Sequence, residues 1–148
     1  MKIIITAAGN SKRFSIAGYN KPKFLLPLGE ITMLEHVINM FAPNDEFLLI
    51  TTEQFGFKYK NYFKDLKTKY RNLDVLVIAP HEFGPCYTVI NEFARNWIGA
   101  DPFIITYCDF YVTWDYRKYL NFLDETTPDA NLVTFNGFQP SSRGNTLF

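Results

Sequence analysis

Two kinds of hydrophobic pattern alternate along the chain. Continuous apolar runs rich in β-branched residues predict strands buried on both faces, at 2–6, 46–52, 73–79, 102–107 and 130–138. Apolar residues that recur every three or four positions predict helices from Thr32 to Phe41 and over 57–70, 85–97 and 114–124. Residues 7–23 lack a long apolar pattern and contain Gly, Asn, Ser and Pro, so they predict a loop.

Alternation of strands and helices predicts an α/β fold, a Rossmann-like, doubly wound and mostly parallel sheet with flanking helices. A length of 148 residues fits a single domain over residues 1–148. Ligands of such sheets bind beyond the carboxyl ends of the strands. The 7–23 loop, the Gly84-Pro85 turn and Asp109 all follow predicted strands, so we expect them at one edge of the sheet.

Composition narrows the classes of protein that fit. The chain is 47% hydrophobic and 18% aromatic, which is typical of an ordered globular protein. Its 15 basic and 15 acidic residues cancel, which argues against a nucleic-acid partner. No apolar run approaches the ~20 residues of a membrane span, and no secretion signal is evident, so we expect a cytoplasmic protein. Cys86 and Cys108 lack the spacing of a zinc site.

The loop after the first strand carries the strongest chemical signal. Ala7, Ala8 and Gly9 let a ligand approach the backbone closely, and consecutive N–H groups there can cradle phosphate oxygens. Arg13 adds a planar set of donors suited to phosphate. An ordinary surface loop with solvated charges is the alternative, and the loop lacks both the P-loop and the dinucleotide-binding signatures. Further on, Lys21-Pro22-Lys23 precedes an apolar run that should anchor this loop and fix Lys23.

Two segments together, AAGNSKRF at 7–14 and NKPKFLLPLG at 20–29, resemble the nucleotidylyltransferases. These enzymes load sugar phosphates and similar small phosphates onto a nucleoside triphosphate with release of pyrophosphate. The matching residues are Gly9, Ser11, Arg13, Pro22, Lys23 and Gly29. Ser11 departs from the glycine that many members have at this position.

The resemblance implies a role for each candidate residue. Backbone N–H groups of Gly9, Asn10 and Ser11 hold the triphosphate, and Ala7, Ala8, Gly84 and Pro85 lie near the nucleoside. Arg13 neutralises the leaving pyrophosphate, Lys23 contacts the α-phosphate or the attacking phosphate, and Asp109 binds Mg²⁺. Considered alone, Gly84-Pro85 is equally typical of a plain helix start, and Asp109 of a loop cap. Members often identify the base with a glutamine before this turn, and residues 78–83 contain none, so the base stays open.

The resemblance therefore implies a magnesium-dependent nucleotidylyltransferase that binds a nucleoside triphosphate and a small phosphorylated acceptor, in surface-polysaccharide precursor synthesis such as that of capsule. Family members extend further, which predicts an N-terminal fragment truncated on its C-terminal side, or a homo-oligomer that covers its own edge. Three alternatives stay open: a non-catalytic nucleotide-sensing domain, a cytidylyltransferase acting on a non-sugar phosphate, and a protein-interaction domain.

Overall fold

The computed structural model describes residues 1–9 and 12–134, without the side chains of Lys12 and Arg13. The chain divides into two compact units, Met1–Trp114 and Asp115–Phe148. The first unit holds the sheet and every candidate residue, and the described part of the second holds one helix. The expectation of a single domain stays a prediction. No helix in the described ranges is long and apolar enough to cross a membrane.

The strands and helices predicted for the first unit follow one another in the predicted order, with an additional short hairpin over 27–32. Its strands are β1 (Lys2–Ala7), β2 (Pro27–Leu28), β3 (Ile31–Thr32), β4 (Glu46–Thr52), β5 (Leu73–Ile78) and β6 (Phe103–Tyr107). Its helices are α1 (Lys12–Ile16), α2 (Met33–Ile38), α3 (Glu53–Lys58), α4 (Lys60–Lys69), α5 (Gly84–Val89) and α6 (Glu92–Ile98). A 3-10 turn covers Lys23–Leu25, and α7 (Tyr116–Thr126) belongs to the second unit.

The main sheet confirms the predicted α/β class. Its strand order is β5-β4-β1-β6, and all three pairings are parallel. The chain moves outward from β1 to β4 and β5, and then returns to place β6 on the other side of β1. That reversal makes β1 the switch point of the topology, where doubly wound sheets open a crevice for ligands.

The core lies on both faces of β1 and β4. Ile4, Leu48 and Ile50 share one face with Val89 of α5 and Ala94 of α6. The opposite face carries further fully buried residues, Ile3, Ile5 and Leu49. Because parallel crossovers are right-handed, the helices between β1 and β5 belong to this second face and those between β5 and β6 to the first. The short β2–β3 hairpin stands apart from the sheet and turns at Gly29, whose φ of 68° is left-handed.

Two predicted helices are each broken in the structure. The segment predicted as one helix over 57–70 begins earlier, at Glu53, and is interrupted at Tyr59, where φ is −115° and ψ is 27°. The helix predicted over 85–97 is interrupted at Ile90 and Asn91, and the Asn91 side chain caps α6 by accepting the Ala94 N–H at 2.9 Å.

An unbroken helix over 85–97 would place its apolar residues on one inward face, and the second interruption divides that face. Val89, Ala94 and Trp97 do pack toward the core, but Ile90 is 62% exposed and Phe93 is 55% exposed. A single helical period cannot hold across a break, because the new helix starts with its own rotation about its axis.

Two further expectations differ from the structure. The segment 7–23 was expected to be a loop throughout, but α1 begins at Lys12 and therefore includes Arg13. Residues 130–134 of the predicted fifth strand form no strand, and the remainder of that strand lies outside the described residues. Leu132 and Val133 are 79% and 50% exposed, so the apolar pattern there does not correspond to burial in a sheet.

Candidate functional site

The carboxyl end of β1 gives the site a rigid floor. Ala7 ends the strand and Ala8 follows it, and both are almost fully buried. The Thr51 hydroxyl donates to the carbonyl of Ala7 at 3.4 Å, which ties the strand end to β4. Gly9 is the first exposed residue after this floor, so the chain leaves the sheet where the crevice is expected.

Lys23 reaches the same place from a separately anchored segment. Pro22 is extended, with φ −64° and ψ 153°, and leads directly into the 3-10 turn at Lys23. The next residue, Phe24, is 1% exposed and its ring packs against the rings of Phe55, Tyr59 and Phe63. Burial of one residue thus fixes the backbone of its neighbour, as the apolar run predicted.

Asp109 follows β6, the strand that pairs with β1 on the side opposite β4. The ladder between β1 and β6 continues past the strand end, because the Cys108 N–H donates to the Thr6 carbonyl at 3.2 Å. Asp109 follows that bond, and its Oδ2 accepts from Lys23 Nζ at 2.9 Å. A Cβ built on Gly9 would lie 4.0 Å from the same Lys23 Nζ. The fold therefore gathers Gly9, Lys23 and Asp109, as expected from their places at the strand ends.

Cys108 lies beneath this cluster and was not expected to belong to the site. Its side chain is fully buried, and burial raises the pKa of the thiol to about 12. The Asp109 carboxylate acts in the same direction, whereas the charge of Lys23 opposes it. The buried thiol of Cys108 stays neutral and therefore does not compete with Asp109 for cations. The one signal of this in the sequence is a cysteine at the end of a buried strand.

Gly84 and Pro85 stand at the start of α5, at the same sheet edge but after β5 rather than β1. Gly84 has a left-handed φ of 82°, which explains the glycine. The Thr88 hydroxyl donates to the Gly84 carbonyl at 3.4 Å and is hydrogen-bonded to His81 Nε2 at 3.0 Å. His81 and Thr88 therefore hold the shape of this turn, a role that the sequence did not reveal. The proline-initiated helix start is present, and contact of this turn with a nucleoside stays a prediction.

The side chains of Asn10, Ser11 and Arg13 lie outside the described part of the structure. Asn10 and Ser11 lie outside the described residues, and of Arg13 only the backbone, within α1, is described. Their assigned roles stay predictions.

Asp109 fits a magnesium ion only as one ligand among several. Among residues 1–9 and 12–134, no group of three or more Asp, Glu, His or Cys side chains could hold a metal. Mg²⁺ is commonly bound through one or two carboxylates together with substrate phosphates and water. The partly exposed carboxylate of Asp109 therefore suits a cation whose other ligands are phosphate oxygens and water.

A surface groove of about 730 Å³ lies elsewhere, lined by Glu92, Arg95, Asn96, Ile98, Gly99 and Phe103. Phe103 begins β6, so this groove faces the amino ends of the strands. In parallel sheets ligands bind at the other edge, and the groove is therefore separate from the candidate site.

The chain matches one known protein family. A family model described as "MobA-like NTP transferase domain" matches residues 3–139. The search of curated proteins gave no match.

Several solved structures share the fold. A nucleoside-diphosphate-sugar pyrophosphorylase from Vibrio cholerae is 24% identical, with a TM-score of 0.58 over 80% of this chain and 53% of that one. A UDP-glucose pyrophosphorylase from Acinetobacter baumannii is 18% identical, with a TM-score of 0.62 over 85% and 53%. An inositol-1-phosphate CTP transferase from Thermotoga maritima is 18% identical, with a TM-score of 0.55 over 73% and 43%. The chain thus spans about half the length of these structures.

Proposed function

Since the chain belongs to the family of MobA-like NTP transferase domains, we propose that it is a nucleotidylyltransferase. It transfers a nucleoside monophosphate from an NTP to a sugar phosphate or similar small phosphate and releases pyrophosphate. The observation that carries the proposal is the convergence of Gly9, Lys23 and Asp109 at the switch point of the sheet. The three residues come from three separate segments. The backbone of Gly9 and the ammonium group of Lys23 suit phosphate groups, and the carboxylate of Asp109 suits a cation.

The chemistry needs alignment and neutralisation of charge more than covalent help from the protein. The exposed backbone at Gly9 receives the triphosphate, with Asn10 and Ser11 supplying further N–H groups and Arg13 facing the leaving pyrophosphate. Lys23 aligns the attacking phosphate oxygen with the α-phosphate and neutralises the charge that accumulates there. Asp109 holds Mg²⁺, which supplies electrostatic stabilisation of the phosphate oxygens. Ala7, Ala8, Gly84 and Pro85 border the nucleoside.

The proposal specifies the class of each substrate, a nucleoside triphosphate and a small phosphorylated acceptor, but not the particular base or acceptor. UDP-glucose pyrophosphorylase and inositol-1-phosphate CTP transferase differ in both, yet each shares this fold. We infer a cytoplasmic enzyme that makes nucleotide-activated precursors, such as those of capsule and other surface polysaccharides. A cytidylyltransferase acting on a non-sugar phosphate fits the same site.

The test begins with thermal unfolding in CTP, UTP, dTTP, GTP and ATP with Mg²⁺. Binding to the folded state raises Tm, and the triphosphate with the largest shift identifies the base. Pyrophosphate release is then measured with that triphosphate and a panel of sugar phosphates and polyol phosphates. Lys23→Ala and Asp109→Ala should abolish most of the release.

A matched control is available in the same fold. Lys67 and Asp74 form a surface ion pair of 3.0 Å near the amino end of β5, at the edge of the sheet opposite the candidate site, so Lys67→Ala and Asp74→Ala should leave release unchanged. If no triphosphate raises Tm at millimolar concentration, the chain is not a nucleotide-binding domain and the proposal is wrong.

A second function is favoured by one observation: within residues 1–9 and 12–134, no group of three or more Asp, Glu, His or Cys side chains could hold a metal. A domain that binds nucleotide without transferring it needs no second metal ligand. That function would give a Tm shift with one triphosphate, but no pyrophosphate release with any acceptor in the panel.

A further inference from the structure

The ion pair between Lys23 and Asp109 joins two groups that the proposed function assigns to different ligands. Lys23 Nζ and Asp109 Oδ2 are 2.9 Å apart, and the two side chains are 21% and 31% exposed. A carboxylate that accepts from an ammonium group at this distance has part of its charge compensated. A cation that approaches Asp109 therefore meets a positive charge already in place.

The two ends of this pair are held independently. Phe24 anchors the backbone of Lys23 among three aromatic rings, and the bond from Cys108 to Thr6 anchors the backbone of Asp109. The two residues are 86 positions apart in sequence. The pair therefore forms because the fold brings its ends together, and it can separate by rotation of side chains alone.

Lys67 and Asp74 provide a useful comparison within the same chain. Their atoms are 3.0 Å apart, a nearly equal distance, but the side chains are 49% and 62% exposed. That pair lies on the surface of α4 and β5, whereas Lys23 also faces the exposed backbone of Gly9. Lys23 is thus within reach of an alternative anion, a phosphate held at the loop.

We propose that Lys23 acts as an internal competitor for the cation at Asp109, so that metal and triphosphate bind cooperatively. This inference rests on the proposed function. In the nucleotide-free protein, the ion pair between Lys23 and the Asp109 carboxylate lowers the affinity of Asp109 for a divalent cation that arrives without nucleotide. A triphosphate at Gly9 offers Lys23 a new partner, which releases Asp109 for the cation that accompanies the nucleotide. Each ligand then strengthens the binding of the other by the same factor.

The experiment measures binding of Mn²⁺ as a probe for the Mg²⁺ site, from the electron paramagnetic resonance signal of the free ion. The wild-type chain, Lys23→Met, Lys67→Met and Asp109→Asn are compared without nucleotide. Removal of the competitor should make Lys23→Met bind Mn²⁺ about threefold to fivefold more tightly than wild type, the factor that a partly exposed ion pair contributes. Lys67→Met should match wild type, and Asp109→Asn should lose the site.

The same titrations are repeated with the triphosphate that raises Tm most, with protein-bound Mn²⁺ followed by water proton relaxation. Wild type should gain affinity for Mn²⁺ when the nucleotide is present, and Lys23→Met should gain less. The inference is overturned if folded Lys23→Met binds Mn²⁺ no more tightly than wild type without nucleotide, or if neither chain binds it. Circular dichroism establishes that the variants are folded.

Failure of the proposed function looks different. In that case no triphosphate raises Tm and no pyrophosphate is released, while the nucleotide-free comparison of Lys23→Met with Lys67→Met still tests whether Lys23 competes for Asp109.

Discussion

Replacement of Gly9 by alanine should raise the stability of the fold and weaken the binding of triphosphate, so the two effects can be measured separately. The methyl group would lie 4.0 Å from Lys23 Nζ, which is ordinary van der Waals contact and the nearest approach to any described neighbour. Gly9 is not among the glycines with positive φ, so its backbone suits alanine. The nucleotide-free protein therefore has room for the substitution.

The magnitude follows from the unfolded state. Alanine has fewer backbone conformations to lose on folding than glycine, and at a compatible site the gain is ~0.4–1 kcal/mol. For a chain of this length, that corresponds to a rise in Tm of about 1–4 °C. Binding should change in the other direction, since a methyl group at this position keeps phosphate oxygens from the backbone N–H groups. Loss of a donor to phosphate costs about 2.7 kcal/mol or more, a hundredfold fall in kcat/KM.

The assay combines differential scanning fluorimetry with pyrophosphate release. Gly99→Ala serves as the control, because Gly99 ends α6 at φ 62° and ψ −130°, a conformation that only glycine adopts easily. It should lower Tm and leave binding of triphosphate unchanged. If Gly9→Ala binds triphosphate as wild type does, the loop after β1 does not hold phosphate and the site assignment is refuted.

Three further predictions concern charge and burial. Lys2→Met should lower the free energy of unfolding in urea by about 2 kcal/mol. Lys2 Nζ donates to two carbonyls at the end of α6, at 2.8 and 3.0 Å, and methionine cannot make these hydrogen bonds. Arg13→Ala and Lys23→Ala should each lose about 3 kcal/mol of transition-state stabilisation in kcat/KM, and losses below tenfold for both would contradict their roles. Burial raises the pKa of Cys108 to about 12, so stability that is present below pH 9 should fall as pH rises toward 12. The urea midpoint at pH 8 and at pH 10.5 measures that fall, and the difference between the two midpoints should be smaller in Cys108→Ala. At pH 8, a thiol reagent should modify the native protein only at Cys86, which is exposed.

The local pattern was enough to predict most strands and the start of α2. The strand predicted at 2–6 is observed as Lys2–Ala7, and the one at 46–52 is observed as Glu46–Thr52. The helix predicted from Thr32 does begin there, because Thr32 caps α2 and Glu35 completes a capping box with it. Burial alone would raise the pKa of Glu35, but hydrogen bonds from Lys69 and Thr32 outweigh it and lower that pKa. Strands and caps are predictable because both depend on neighbours within a few positions.

Helix continuity was less predictable, because packing decides where a helix stops. Packing also decides how closely two elements approach. A Cβ on Gly56, inside α3, would lie 2.8 Å from Val77, so α3 approaches β5 this closely only with glycine. From sequence this glycine looks merely like a weak helix former. In the structure it sets the distance between two elements.

By itself the sequence determined the α/β class, the buried strands and the set of residues expected at one sheet edge. Hydrophobic periodicity and motif spacing are local properties, and they carry that much. Only the tertiary structure decided that β6 returns beside β1, and so that Lys23 and Asp109 meet at 2.9 Å. Strand order and long-range ion pairs depend on how separate segments pack, and residues 86 positions apart leave no trace of their contact in either local sequence.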